Sequence, residues 1–497
     1  MKKKYGLFKV LAVLLFLVVI ATYFIAGRSG DNEYLALVDV FFNYVQSFYY
    51  FFDTALFLLV VGGFYGVLNR IPAYRLIIDN IVKKIGKNKK LFVIISTVVF
   101  ALLSSLTGLN LILLIFVPFV VSIILLLGYD KLVALSSTIG GIVIGIVGGI
   151  FVTVKDSSSQ YGVAFTTFEK LTGLKHNFNL TTTLPKCLLL VAGIVLLVLC
   201  IINHIKNTEE KKEKYVLTKN DPLLVEVRES AVKSVAKTST KKEGNKKKNA
   251  HIKVWPFILV VCVMTILLIL GYMPWSDLFG VKCFDDFHTW LTGLTIGDYT
   301  VFTSLISNTM TAFGKWAELG SFMMAILLLV AAGLILSLIY KVKLHDAMDG
   351  FIYGVKKLIP ATMVAMFAYA ILVSSYNNGF METVITNAGK SFGDNVIVHS
   401  LISVVGSVLN VDVYYSAAGI FSPIVSGLTD KANLSVYAIM FQSIYGIVQI
   451  VGPTSLLLIF GLSYLEVPYK TWVKYIWRLV LELFIAIFVV LMIVSLL

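Results

Sequence analysis

Long apolar stretches with few charges recur along most of this 497-residue chain. A helix of about twenty apolar residues crosses the hydrocarbon core of a bilayer and satisfies its own backbone groups there. Of all residues, 58% are hydrophobic and 14% are charged, against roughly 25% charged in soluble domains. The sequence therefore predicts an all-α polytopic membrane protein with about nine spans. The lipid bilayer is accordingly one of its expected partners.

Half of the net charge of +14 falls in residues 206–253, where fourteen Lys or Arg and seven Asp or Glu leave +7. Such basic runs occur in nucleic-acid-binding segments and in the cytoplasmic loops of membrane proteins. Because apolar spans flank it on both sides, we interpret the run as a cytoplasmic loop and expect no nucleic-acid partner. Lys2, Lys3 and Lys4 precede the first span, which predicts a cytoplasmic N-terminus and a retained helix rather than a cleaved signal.

The alternation of spans and charge predicts five units. They are the N-terminal spans with a cytoplasmic amphipathic helix (1–90), a first transport repeat (91–205), the basic loop (206–253), a second scaffold unit ending in a cytoplasmic connection (254–358), and a second transport repeat (359–497). Each repeat has an interrupted hairpin, a broken span and a further span. Pro360 is expected to open a helix, because proline lacks the N–H that an interior helical position uses.

Two polar interruptions lie close together in the apolar stretch of residues 403–468. The first contains Asn410, Asp412 and Ser416, and the second is Gly452-Pro453-Thr454-Ser455. Polar residues and helix breakers at membrane depth are expensive unless they line a cavity. The pair of interruptions therefore predicts a binding site.

The first repeat has weaker counterparts of both interruptions. Residues 91–128 form either two spans joined by a tight turn or a re-entrant hairpin with its tip at Thr107-Gly108-Leu109-Asn110. Apolar residues directly beside the tip favour the hairpin, because a loop at the aqueous face usually carries charge. In the next span, Gly141, Gly145 and Gly149 stand four residues apart, which is typical of close helix packing. The adjacent pair Gly148-Gly149 favours a backbone loosened for ion coordination.

The two repeats align weakly when residue n is set against residue n + 305, which pairs Pro118 with Pro423 and Gly141 with Gly446. Counting spans from a cytoplasmic N-terminus places the mouths of the two hairpins on opposite sides of the membrane, so the repeats are inverted. Inverted repeats with broken helices at matching positions are typical of secondary transporters, whose site lies near the midplane. A small-molecule substrate is the expected partner.

We expect substrate or coupling ion to contact the polar groups at these interruptions. Asn377-Asn378-Gly379 forms a further break, while Gln442 and Ser443 can either reach the cavity or form a helix–helix hydrogen bond. The candidate site residues are Thr107, Asn110, Gly148, Gly149, Asn377, Asn378, Asn410, Asp412, Ser416, Gln442, Ser443, Gly452, Pro453, Thr454 and Ser455.

Enzyme chemistry has little support in the sequence. Residues 389–393 satisfy GxSxG, but a serine nucleophile needs a strand–turn–helix context that the pattern does not predict. The six histidines are dispersed and neither HExxH nor CxxC occurs, so we expect no metal and no other cofactor. No P-loop occurs either, so a sodium or proton gradient, or exchange, is the expected energy source. A membrane-embedded enzyme or a channel is a remote alternative.

The segment FQSIYGIVQIVGPTSLLLIFGLSYLEVPYKTWVKY, residues 441–475, resembles the signature of the YfcC-type and DcuC-like carriers of the ion-transporter superfamily. Its most specific elements are Pro453-Thr454-Ser455 and Val467-Pro468-Tyr469, and NNGFMETVI at residues 377–385 is similar to an upstream motif of the family. The resemblance covers most of the chain. It implies an elevator-type fold with two re-entrant hairpins, a homodimer, and dicarboxylates, amino acids or aminobenzoyl-glutamate as the substrate classes.

The chain departs from that family's pattern where substrate and ion are expected. Asn110-Leu111 replaces a pair of glutamates, and Ile444-Tyr445-Gly446 replaces Gly-Asp-Gly. Asp412 at the second hairpin tip could bind a substrate cation, sodium or a proton, or could be merely solvated at the aqueous mouth. Because a carboxylate beside a dicarboxylate is unfavourable, the sequence slightly favours a secondary carrier of an amino acid, such as arginine or ornithine. A four-carbon dicarboxylate or short-chain organic anion is the alternative.

Overall fold

The computed structural model describes residues 6–29, 35–150, 153–154, 166–167, 183–211, 252–273, 275–301, 308–316, 322–377, 380–409, 411, 424 and 434–495. Nearly all of the residues in these ranges are helical, which confirms the all-α prediction. The strands are two short antiparallel pairs, β1 (Thr153–Val154) with β2 (Thr166–Thr167) and β3 (Thr295–Ile296) with β4 (Tyr299–Thr300).

The described helices are numbered here in chain order. The first part of the chain contains α1 (Gly6–Ser29), α2 (Leu37–Tyr50), α3 (Phe52–Leu68), α4 (Pro72–Ile85), α5 (Lys89–Thr107), α6 (Val117–Leu126), α7 (Lys131–Leu135), α8 (Gly141–Val147) and α9 (Thr183–Lys211). A 3-10 turn (Ile112–Ile115) precedes α6, and a π-helical turn (Ser136–Gly140) joins α7 to α8. The rest contains α10 (Trp255–Tyr272), α11 (Trp275–Phe279), α12 (Cys283–Thr292), α13 (Asn308–Thr311), α14 (Met323–Ile339), α15 (Leu344–Asn377), α16 (Phe380–Phe392), α17 (Val396–Leu409), α18 (Leu434–Val451), α19 (Leu456–Tyr464) and α20 (Tyr469–Ser495).

Seven of the described helical segments are long and apolar enough to cross a membrane, which confirms a multi-pass membrane protein. An eighth span results if α2 and α3, which meet at 67°, are counted as one broken span. About nine spans were expected from the sequence. The difference arises because α14 has 17 residues, and because the segment Lys131–Val147 ends at Gly148 instead of continuing.

Helix α15 is continuous from Leu344 to Asn377, with Pro360 inside it, so the prediction that Pro360 opens a helix is wrong. The half of α15 before the proline packs directly on α3. A Cβ atom added to Gly62 would lie 2.6 Å from the Gly354 carbonyl oxygen, and one added to Gly350 would lie 2.7 Å from that of Gly66. This glycine-to-glycine contact holds the segment helical, and the proline removes only one backbone bond from it.

The two helices of the hairpin region in the first repeat, α5 and α6, differ in length. Helix α6 has ten residues and is therefore about 15 Å long, half the thickness of the hydrocarbon core. Helix α5 packs along α8 in the same direction. A Cβ on Gly141 would lie 2.9 Å from the Thr97 carbonyl oxygen, and one on Gly145 would lie 2.5 Å from that of Ala101. These two glycines therefore allow the close helix packing that their spacing predicts.

Candidate functional site

The first helix break follows α8, which ends at Val147. The Ser105 hydroxyl donates a hydrogen bond to the Gly148 carbonyl at 2.8 Å, and the Ile150 N–H donates to the Ser105 carbonyl at 3.1 Å. A Cβ on Gly148 would lie 2.5 Å from the Leu190 Cα atom of α9, so a larger residue does not fit. The broken backbone is thus held between α5 and α9.

Thr107, the last residue of α5, and Asn110, in the loop before α6, lie beside this break and are both half-buried. The Thr107 hydroxyl donates to the Leu103 carbonyl at 2.5 Å, within its own helix. The Ser104 hydroxyl oxygen lies 2.6 Å from the Asn110 amide oxygen and 2.6 Å from the Ile142 carbonyl oxygen. Because a hydroxyl has one proton, these two acceptors compete for it.

The second helix break consists of residues 452–455, between α18 and α19. Proline in this segment ends the regular pattern, since it donates no backbone hydrogen bond. The last carbonyls of α18 find donors on α20. The Trp472 indole N–H donates to the Ile450 carbonyl at 2.8 Å, and the Tyr469 hydroxyl donates to the Val451 carbonyl at 2.5 Å.

Thr454 and Ser455 are fully buried within the second break. The Thr454 hydroxyl donates to the Val408 carbonyl at the end of α17, at 2.7 Å. The Ser455 hydroxyl accepts from the Leu458 N–H at 3.3 Å and so caps the N-terminus of α19. This break is therefore held against α17 in the way that the first is held against α5.

The first break is hydrogen-bonded to α18, the helix that leads to the second break. The Gln442 side-chain N–H donates to the Gly149 carbonyl at 2.6 Å, and the Ser443 hydroxyl donates to the Val147 carbonyl at 3.2 Å. A Cβ on Gly446 would lie 2.6 Å from the Val147 nitrogen, so α8 and α18 are in backbone contact. Of the two roles predicted for Gln442 and Ser443, the helix–helix hydrogen bond is present.

The two broken helices cross in opposite directions. Gln442, early in α18, meets Gly149 beyond the end of α8. Gly461 of α19 lies at the other end, where an added Cβ would be 2.8 Å from Ile139 in the π-helical turn. An antiparallel crossing brings the end of α8 and the start of α19 into the buried interior of the helix assembly.

The described part of the structure thus brings together Gly148, Gly149, Gln442 and Ser443, and places Gly452, Pro453, Thr454 and Ser455 at the second break. Asn377 is the last residue of α15, and its side chain is outside the described set. The predicted site residues Asn378, Asn410, Asp412 and Ser416 lie outside the described residues.

Sequence reasoning missed three residues that donate hydrogen bonds to backbone carbonyls at the breaks. They are Ser105, Tyr469 and Trp472. The two aromatic residues belong to the family-like segment after Pro468, which was the available signal. Several buried polar atoms of α17 and α18, one of them on the predicted site residue Gln442, have no hydrogen-bond partner in the described part of the chain. They are Gln442 Oε1, Gln449 Nε2, Ser403 Oγ, Ser407 Oγ and His399 Nδ1. Buried polar atoms are normally hydrogen-bonded, so these are available to a ligand or to ordered water.

A second polar cluster lies at the far end of α7, on the order of 25 Å from the first break along the helix. Asp130 caps α7 and its carboxylate lies 2.8 Å from His204 Nε2 of α9. The Ser136 hydroxyl and the Tyr475 hydroxyl lie 3.0 Å apart, and the Tyr475 ring packs edge-on against the His204 ring. This cluster joins α7, α9 and α20 away from the breaks.

Apolar spans and two helix breaks in the buried interior of the helix assembly indicate a multi-pass membrane transport protein. The family model described as C4-dicarboxylate anaerobic carrier, DcuC, matches residues 36–496, nearly the whole chain. The chain therefore belongs to the DcuC family, which is a family of transporters and not of enzymes. Comparisons with curated proteins and with solved structures gave no match.

Proposed function

We propose that this protein is a secondary active carrier of four-carbon dicarboxylates. The observation that carries the proposal is the presence of two buried helix breaks, the first hydrogen-bonded to the helix that leads to the second, in a chain of the C4-dicarboxylate carrier family. Freed backbone groups at membrane depth are tolerated where they line a cavity, and antiparallel broken helices form such a cavity at the midplane of transporters.

The arrangement of elements supports inverted repeats with two re-entrant hairpins. In each half a helix packs beside a second helix that breaks, and a serine or threonine hydroxyl forms a hydrogen bond between the two, Ser105 with Gly148 and Thr454 with Val408. The break after α8 aligns with the break after α18 at the offset of 305 residues, Gly148 with Pro453. On this proposal the repeats 91–205 and 359–497 form an elevator-type transport unit, and the remaining spans form its scaffold and dimer contact.

The charges near the breaks support an anionic substrate. The N-terminus of α19 begins at Ser455, and the positive end of a helix dipole stabilises a carboxylate. Lys186 of α9 is 4% exposed and lies one helical turn before Leu190, which packs on Gly148. The family favours the dicarboxylate alternative over the amino-acid preference, and that preference depends on Asp412, which lies outside the described residues.

Counterflow in proteoliposomes tests the proposal. Vesicles loaded with unlabelled succinate should take up labelled succinate with saturable kinetics, and fumarate should compete. Arginine, ornithine and glutamate serve as the amino-acid arms. Counterflow of arginine without counterflow of succinate contradicts the dicarboxylate proposal, and linear, unsaturable flux contradicts a carrier in favour of a channel.

The variant Thr454→Val connects the activity to the second break. It removes the donor of the Val408 carbonyl and leaves that buried oxygen unpaired, which costs about 1–3 kcal/mol, or roughly 5- to 150-fold. We expect the rate of succinate counterflow to decrease by a factor within that range. Thr362→Val is the matched control, because Thr362 is also buried but donates only within its own helix, to Leu358 at 3.0 Å.

A further inference from the structure

One face of α17 carries a row of buried polar atoms without partners. His399, Ser403 and Ser407 are spaced four residues apart and are 2%, 0% and 0% exposed. His399 Nδ1 and the two hydroxyl oxygens have no hydrogen-bond partner in the described part of the chain. Residues at this spacing share a helix face, with side chains about 6 Å apart. That separation accommodates one water molecule between neighbours, hydrogen-bonded to both.

The hydrogen bond of the other ring nitrogen determines the tautomer of the neutral His399 ring. Its Nε2 atom lies 2.9 Å from the Gly393 carbonyl oxygen, which only accepts hydrogen bonds. Nε2 therefore carries the proton of the neutral imidazole. Nδ1 then has a free lone pair and is the atom that can take a second proton.

The row runs from the exposed end of α17 to the second helix break. Gly393 and Asn395, just before α17, are exposed, while His399 is buried. At the other end Ser407 directly precedes Val408, whose carbonyl accepts the Thr454 hydroxyl. The distance along the helix from His399 to Ser407 is about 12 Å.

We propose that His399 is a proton-binding site and that the Ser403 and Ser407 hydroxyls lead protons between it and the second break. A proton adds to the Nδ1 lone pair to give the imidazolium, with the Nε2–H bond to Gly393 kept. Its transfer through water to the Ser403 hydroxyl restores the neutral ring. Resting on the proposed function, this identifies the coupling ion of the carrier as a proton.

The titratable groups near His399 lie on the neighbouring helices and at the start of α17. On α18 the Tyr437 ring packs edge-on at 5.6 Å, and its hydroxyl donates to the Asp394 carbonyl. The Asp394 side chain lies at the exposed end, and Tyr445 is the other titratable group of α18. On the other packed helices, Tyr369 of α15 stacks on Phe51, while the side chains of Tyr376, Glu382 and Lys390 are outside the described set.

The full-length protein in proteoliposomes, with the membrane potential held at zero, tests the proposal. With an inward gradient of about one pH unit, each coupled proton drives roughly tenfold accumulation of succinate dianion, since one unit is 1.36 kcal/mol. The wild type should show this accumulation together with a pH change in the lumen. His399→Gln should lose the lumenal pH change and accumulate succinate no more than about onefold.

Matched variants separate the proton path from a general effect on α17. Ser403→Ala and Ser407→Ala should slow the lumenal pH change. Ser400→Ala should not, because Ser400 is 3% exposed but its hydroxyl already donates to the Val396 carbonyl at 2.7 Å. Equal accumulation in the wild type and His399→Gln overturns the proposal, as does accumulation driven by sodium alone.

A direct titration decides the point without a substrate. In protein labelled with nitrogen-15 histidine, the Nδ1 signal that disappears in His399→Gln should change reversibly between its unprotonated and protonated forms when the pH is varied over the range in which the protein stays folded. If Nδ1 stays unprotonated across that range, the proposal is wrong whatever the substrate is. If the titration is seen but no dicarboxylate shows counterflow, the proposed substrate class fails and the proton site stands.

Discussion

Gln442→Leu is the sharpest test of the hydrogen bond between α18 and the first helix break. Leucine has a similar volume but donates no hydrogen bond to the Gly149 carbonyl, which the glutamine amide reaches at 2.6 Å. The same amide lies 3.4 Å from the Ile146 carbonyl oxygen, but that oxygen also accepts the Gly149 N–H at 3.2 Å. The substitution therefore leaves one buried carbonyl, that of Gly149, without its donor.

A buried acceptor left unpaired costs about 1–3 kcal/mol. At roughly 2.1 cal/mol/K per residue, the unfolding entropy of the 497-residue chain is about 1 kcal/mol/K, so we expect the Tm to drop by about 1–3 °C. The matched control is Gln449→Leu, seven residues further along α18. Gln449 is 3% exposed, and its Nε2 atom has no partner in the described part of the chain. Replacing an unsatisfied buried amide by leucine should leave the Tm unchanged or raise it.

Thermal melting of the detergent-solubilised variants, followed by succinate counterflow in proteoliposomes, measures both effects. The reasoning predicts that Gln442→Leu melts lower and transports more slowly, while Gln449→Leu keeps the wild-type Tm. If the two variants have the same Tm, the hydrogen bond between Gln442 and Gly149 does not stabilise the contact of the first break with α18.

Two further predictions concern contacts away from the breaks. Gly62→Ala places a Cβ atom 2.6 Å from the Gly354 carbonyl oxygen and should cost at least about 1–3 kcal/mol of stability, seen as less folded protein on size exclusion. Gly333→Ala, whose added Cβ atom lies 3.7 Å from the Phe64 ring, is the control that should behave as wild type. Asp130→Ala should lower the Tm more than Asp130→Asn, since asparagine still caps α7 and alanine loses that cap, worth about 1 kcal/mol. Equal Tm values for these two variants would show that the cap contributes nothing.

The positions of the breaks could be predicted from the sequence because they depend on local chemistry. Proline lacks an N–H and glycine permits unusual backbone angles, so Gly148 and Pro453 indicate helix ends wherever they fall in an apolar stretch. The same reasoning is wrong at Pro360. There the glycine-to-glycine contact of α15 with α3, made by residues almost 300 positions apart, outweighs the local effect.

The partners of the polar side chains could not be predicted in this way. Gln442 and Gly149 are separated by 293 residues, and no spacing in the sequence connects them. Asp130 and His204 each look like an ordinary residue at the end of a span, and only the packing of α7 on α9 brings them to 2.8 Å. His399 is one of six dispersed histidines, and its unpartnered Nδ1 is visible only once α17 is placed against α18.

If the first break acts as one unit, substitutions that remove its hydrogen bonds to α5 and to α18 should not have independent effects. Ser105→Ala removes the donor of the Gly148 carbonyl, and Gln442→Leu removes that of the neighbouring Gly149 carbonyl. Backbone that has already relaxed after one change has less to lose from the second, so we expect a coupling of about 0.5–3 kcal/mol. Thr362→Val shares no partner with Gln442, so this pair should be additive within about 0.3–0.5 kcal/mol. Additivity of Ser105→Ala with Gln442→Leu would mean that each carbonyl is held separately and that the break is not a single cooperative element.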